Sequence, residues 1–241
     1  MIAILALLAC SNQVNVPIVD STLISSSRQV VLVTTDDWNS ITGKLCLLER
    51  DSDGPWRSID GVIPVTVGKN GMARTSGTGD QAKREGDGRA PAGTFTITSA
   101  FGYASPDSVS FISMPYIHAT DNRLCVDDPK STHYNHIIDA ATIGERDWSS
   151  AETMLRDDHM YKWGLVVDYN TSPPMPGKGS CIFLHLWKAP GTGTSGCTAM
   201  SEENMIALLK WLDPKKRPVL LQLPRSEYER AAKPHALPAL Q

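Results

Sequence analysis

Short apolar runs broken by Gly, Pro and polar turns recur along most of the chain. Gln29 to Thr34, Lys44 to Glu49, Val62 to Gly68, Thr94 to Thr98, Gly164 to Tyr169, Cys181 to Leu186 and Pro218 to Leu223 are the strand-like runs. Runs of this length between turn signals predict β-strands. Pro64 places the third run at an edge or a bulge. Helical spacing is confined to two places. Ser149 followed by Glu152 has the form of a capping box and predicts a helix to about Leu155. Ser201 precedes Met205, Leu208, Leu209 and Leu212, an apolar stripe at i, i+3, i+4, i+7, and Asp213-Pro214 closes it. Together these patterns predict a mainly β body, a sandwich or barrel, with a few short helices.

The ends read differently. Met1 to Ala9 is apolar and runs into Leu7-Leu8-Ala9-Cys10, which resembles a bacterial lipobox, although no Lys or Arg precedes it. Residues 1–10 are therefore expected to be a signal segment with lipid attachment at Cys10. Residues 11–27 are polar and read as a flexible tether, residues 28–224 as the domain, and residues 225–241 as a frayed tail. The expected location is the cell envelope or periplasm, with membrane contact only through the N-terminal lipid.

Charge narrows the function classes. The 241 residues carry 23 basic and 26 acidic side chains, a net charge of -3. That balance gives no footprint for nucleic acid, and the short run Lys215-Lys216-Arg217 reads as a solvated turn. No apolar stretch reaches the ~20 residues needed to span a bilayer. Cys46, Cys125, Cys181 and Cys197 match no zinc spacing. If Cys197 is a free nucleophile, at most one pair forms among the other three, and which one is open. Cys46 and Cys181 sit in apolar runs, where a buried reduced thiol is expected. His133 and His136 read as structural or surface residues rather than a metal pair. Asp127-Asp128 would point to opposite faces of a strand, which discounts a carboxylate pair. Trp187, Tyr161 and Trp163 read as packing residues that also lie near the candidate chemistry.

The most informative stretch runs from Ile182 to Met200. His185 leaves an apolar strand, a Gly-rich loop follows, and Gly196-Cys197 precedes the second helix. Free Cys is only slightly ionised near neutral pH, so a thiol nucleophile needs a base. Twelve positions separate His185 from Cys197, enough for the loop to return the sulfur to the imidazole. Gly196 would let the backbone approach a carbonyl, and the amides of Gly196 and Cys197 are candidate donors to an oxyanion.

His185 with Thr194-Ser195-Gly196-Cys197 resembles the L,D-transpeptidase (YkuD-type) catalytic domain, in which a strand His is followed by Ser/Thr-His-Gly-Cys. Flanking segments extend the resemblance: Asp87 to Phe95, Met114-Pro115-Tyr116, Val126 to Pro129, Tyr134-Asn135, Val167 to Asn170 and Gly177 to Ser180 look like a divergent branch of that family, from about residue 30 to 224. Ser195 stands where the family has His, and Thr198-Ala199 replaces its usual residues after the Cys. The resemblance implies an L,D-transpeptidase-like fold and a cysteine acyltransferase of peptidoglycan stem peptides. Cys197 would be the nucleophile and His185 the base, with no cofactor. Ser195 or a backbone carbonyl would orient the imidazole, and Trp187 and Thr194 are candidate substrate contacts. Hydrolysis at the same site, as an L,D-carboxypeptidase or endopeptidase, stays open, and so does a non-catalytic wall-binding module. A papain-like protease is disfavoured, because there the Cys precedes its His.

Overall fold

The computed structural model describes residues 18–52, 54–75 and 81–240, so the expected signal segment and Cys10 lie outside the described residues. In chain order the elements are α1 (Ser21–Ser26), β1 (Gln29–Thr35), β2 (Thr42–Glu49), β3 (Arg57–Thr66), β4 (Met72–Arg74), β5 (Ala90–Gly102), β6 (Tyr116–His118) and β7 (Arg123–Val126). They continue with β8 (Ile137–Asp139), β9 (Ala151–Thr153), β10 (Trp163–Val167), β11 (Phe183–Leu186), β12 (Thr198–Met200), α2 (Glu202–Trp211), β13 (Val219–Pro224) and α3 (Arg225–Ala232). The body is mainly β, as the patterning predicts.

Strands pair in the order β10-β11-β12-β3-β2-β1-β13-β5, and β5 pairs β10 again, so this path closes into a barrel. The 13-residue β5 makes closure possible: its first half pairs β13 and its second half pairs β10. A separate sheet, β8-β7-β9, packs beside the barrel. β1 is buried along its whole length because β2 and β13 flank it on both edges. That environment explains its unbroken Val-Val-Leu-Val run.

β11 divides the interior in two. Leu184 and Leu186 point into the main core, which also takes Met205, Leu208 and Leu209 from α2. Phe183 points the other way, into a second cluster with Phe101, Cys125, Met154, Tyr161, Cys181 and Cys197. Strand alternation thus sends every second residue of β11 toward the small sheet.

Four expectations are corrected. The Ser149 capping box does not start a helix: Glu152 lies in β9, paired antiparallel to β7, and Ser149 donates its N–H and Oγ–H to Asp128 Oδ2 at 2.8 and 2.6 Å. The strand pairing and the Asp128 bond together displace the local helical preference. Part of the expected tether is α1, capped by Asp20 and anchored by buried Val19 and Ile24. The expected frayed tail forms α3, whose Tyr228 is fully buried and donates its hydroxyl to Pro238 O at 2.6 Å. The expected reduced thiol of Cys181 is instead disulfide-bonded to Cys125. Ser201 does cap α2, accepting the Asn204 N–H at 3.3 Å.

Candidate active site

β11 and β12 run parallel with His185 beside Ala199, which puts Cys197, one residue before β12, on the same face as His185 and Phe183. The loop between them is pinned to the barrel. Lys69 N–H donates to Thr194 O at 2.7 Å, and Thr194 N–H donates to Val67 O at 2.9 Å. Only glycine allows this docking at 193, where a Cβ would lie 2.5 Å from Lys69 Cα. The returning chain then delivers Cys197 to a cavity of about 450 Å³ lined by both His185 and Cys197.

Each candidate side chain has defined partners. His185 is 5 % exposed, and its Nδ1 lies 2.7 Å from Leu186 O. A carbonyl only accepts, so Nδ1 carries the proton and Nε2 is left as the base. The ring also packs edge-on against Tyr161, with centroids 5.2 Å apart. Cys197 is 7 % exposed. Its sulfur receives the Phe183 N–H at 3.3 Å, and its thiol faces the Cys181 carbonyl at 3.5 Å. Cys181 is fixed in turn by the disulfide to Cys125 and by its N–H donated to Asn135 Oδ1 at 2.8 Å.

Burial sets the protonation states. Desolvation lowers the His185 pKa to about 4, against a weaker opposing contribution from the Leu186 hydrogen bond. Burial, followed by the nearby Glu152 charge, raises the Cys197 pKa to about 12. The resting pair at neutral pH is therefore a neutral thiol and a neutral imidazole, not an ion pair.

Other expected residues fall as follows. Trp187 and Thr194 line the cavity. Thr194 Oγ1 accepts the Gly196 N–H at 3.1 Å and donates to Cys197 O at 2.6 Å, so the Gly196 donor is engaged in this state. Among the described residues the Cys197 N–H has no such partner. Ser195 is exposed on the rim and does not orient the imidazole; the Leu186 carbonyl does. His133 packs edge-on against Trp148, and His136 Nδ1 lies 2.8 Å from Tyr134 O. Among the described residues no group of three His, Cys, Asp or Glu side chains is placed to hold a metal.

Two site residues were not legible as such. Asp127 and Glu152 line the same cavity from the small sheet. In the sequence, the Ser149 capping-box pattern hides Glu152 and the adjoining Asp128 hides Asp127. Asp128 does face away from Asp127's cavity, toward Ser149 and the Lys130 N–H at 2.9 Å.

Comparison with curated proteins finds no match. The family model of the L,D-transpeptidase catalytic domain, YkuD, matches residues 50–221, most of the chain and all of the cavity-bearing barrel strands from β10 to β12. The chain therefore belongs to the L,D-transpeptidase catalytic domain family.

Proposed function

We propose that the protein is a cysteine L,D-transpeptidase of peptidoglycan stem peptides, with Cys197 as nucleophile and His185 as general base. The observation that carries this reading is that His185, its Nδ1 held 2.7 Å from Leu186 O, and the Cys197 thiol line the same cavity. Cys197 Sγ attacks the carbonyl of the L-centre of the third stem residue while His185 Nε2 takes the thiol proton. The Cys197 N–H donates to the forming oxyanion, and one such donor is worth roughly 3–4 kcal/mol in a comparable acyl-transfer site. Gly196 N–H would add a second donor once Thr194 Oγ1 releases it. The imidazolium then protonates the leaving amine of the terminal D-residue, which departs and leaves a thioester. An acceptor amine attacks that thioester, His185 takes its proton, and the thiol is restored.

The Cys125–Cys181 disulfide supports an exported location, since such bonds persist mainly in oxidising compartments. Lipid attachment at Cys10 belongs to the same proposal, supported by the lipobox-like Leu7-Leu8-Ala9-Cys10. The test is incubation with purified muropeptides, read by mass spectrometry of the products. Cross-linked dimers formed by wild type and absent with Cys197→Ala are expected. Shortened monomers alone would replace transfer by hydrolysis, and no product at all would remove the enzymatic reading.

A further inference from the structure

Three segments with no role in the chemistry so far, Tyr134-Asn135, Val167 to Asn170 and Gly177 to Ser180, converge around one side chain. Asn135 lies in the turn between β7 and β8, in left-handed backbone (φ 61°) that asparagine tolerates better than most residues. It is buried, and its amide is fully used. Nδ2 donates to Tyr169 O at 2.8 Å and to Asn170 O at 2.6 Å, while Oδ1 accepts the Cys181 N–H at 2.8 Å. Asn170 in turn donates to Gly179 O at 2.9 Å, closing the loop that leads into Cys181. Two donors and an acceptor on a short stem are what an asparagine supplies and an ionised aspartate does not.

The bond to Cys181 is the one that reaches the cavity. Cys181 is itself left-handed (φ 54°), which a residue with a side chain keeps only when its surroundings hold it. Three contacts do so. Asn135 holds its N–H, Cys125 holds its sulfur, and on the far side Val167 N–H donates to Ile182 O at 3.1 Å. Between these anchors the Cys181 carbonyl faces the Cys197 thiol at 3.5 Å, and two residues on the Phe183 N–H meets the same sulfur at 3.3 Å. The thiol therefore rests in a cradle made of backbone, whose aim depends on the Cys181 torsions. Of the three anchors only Asn135 grips the peptide group that enters Cys181, and so its φ.

We propose that Asn135 is a positioning residue for the Cys197 thiol, acting through the Cys181 backbone. Without its amide, Cys181 relaxes out of the left-handed region and its carbonyl swings away from the sulfur. The thiol then loses its acceptor, and the thiolate is freed of the negative end of a dipole, so Cys197 ionises and reacts with a small alkylating agent more readily. The charges that face this sulfur, on Glu152, Lys83 and Arg156, stay as they are. Placement for attack on a peptide carbonyl is lost at the same time, since a misplacement of about 1 Å can cost ~10²-fold in rate. That second consequence rests on the acyl-transfer reading; the first does not, so thiol chemistry tests the placement without turnover.

The test is iodoacetamide labelling of the full chain at mildly alkaline pH. The rate at Cys197 is read by peptide mass and divided by the rate at half-buried Cys46 in the same sample. In each reaction the thiolate displaces iodide, a carbon–sulfur bond forms, and the thiol proton goes to solvent. Asn135→Gly removes the amide and keeps a residue at ease in left-handed backbone. Ser131→Ala loosens the same turn, losing a hydroxyl that donates to Asp147 at 2.6 Å, without touching Cys181. Asn135→Gly is expected to raise the Cys197-to-Cys46 ratio about fivefold or more and to lower muropeptide transfer about tenfold or more. Ser131→Ala leaves the ratio near that of wild type. Thermal midpoints show that each variant is folded during labelling; should Asn135→Gly not fold, Asn135→Ser, whose hydroxyl stops one bond short of the Cys181 N–H, carries the same expectation. A ratio unchanged or lowered in the folded Asn135 variant, or raised as far by Ser131→Ala, overturns the proposal. A raised ratio in a protein inactive on muropeptides keeps the placement and removes only the acyl-transfer reading; an active enzyme with an unchanged ratio does the reverse.

Discussion

The thiol of Cys197 rests 3.5 Å from the carbonyl of Cys181. Cys181 sits in left-handed backbone (φ 54°) just before β11 and is held there by the bond to Cys125. The disulfide spans 56 residues and joins the small sheet to the strand entry beside Cys197. It acts as both a staple and a backstop for the Cys197 sulfur.

Cutting that staple is expected to affect folding and turnover together. Cys125→Ser with Cys181→Ser should cost about 2–5 kcal/mol of stability and lower transfer by at least tenfold while Cys197 remains present. Thermal unfolding and product formation check this. An unchanged midpoint and rate would mean that the small sheet does not position the site.

Neutral resting groups predict an unusual reactivity profile. With the Cys197 pKa raised to about 12, alkylation by iodoacetamide at pH 7 should be slower than for a free Cys peptide. The rate should still be climbing at pH 10, where an exposed thiol has levelled off. A plateau near pH 7 would reveal a preformed thiolate and contradict the buried neutral pair.

The buried imidazole also links stability to pH. His185 titrates near 6.5 when unfolded and about 4 when folded. Between these values the unfolded chain binds the extra proton, so stability is lost as pH falls from about 6.5 toward about 4. The loss is at most ~3 kcal/mol, and His185→Gln should remove it. Denaturant midpoints across that window, wild type against variant, would show no difference if the imidazole were solvated.

Thr194 links the two backbone groups at the nucleophile. Thr194→Val deletes the acceptor of Gly196 N–H and the donor to Cys197 O. The expected cost in folding is ~1–2 kcal/mol, with turnover reduced about tenfold because the loop no longer fixes Cys197. A fully active Thr194→Val enzyme would show that the loop is held by its backbone bonds alone.

Residues 225–240 are predicted to matter for stability. Tyr228 is fully buried in the main core, and Leu237 is nearly so. Tyr228→Ala should cost about 3–5 kcal/mol, in the range for large buried aromatics. Urea unfolding reads this directly, and an unchanged midpoint would restore the picture of a loose tail.

Much of this molecule is written in local pattern, and some of it is not. β1, β2, β11 and β13 announce themselves because each carries an apolar run flanked by turns. α2 does so because Ser201 and the Met205–Leu212 stripe agree. The small sheet is silent: β7, β8 and β9 are three or four residues long, half-buried and mixed in composition. Its existence depends on pairing across segments far apart in the chain, which no window of sequence displays. The same is true of the Cys125–Cys181 bond. The tail misleads because α3 carries Ser226, Glu229 and Arg230 on its exposed side, and its buried anchors, Tyr228 and Leu237, lie far apart in a polar and Ala/Pro-rich stretch. His185 and Cys197 were legible from residue type and order. Their shared face was not, because it follows from the parallel register of β11 and β12.

The most direct test is the intact mass of the protein after brief mixing with a tetrapeptide stem. Wild type is predicted to gain the mass of the stem less its terminal D-residue, mapped to Cys197. His185→Gln should gain it far more slowly, and Cys197→Ser should gain no thioester. An adduct elsewhere, or none at any time point with a folded protein and intact stem, would contradict Cys197 as the acyl carrier.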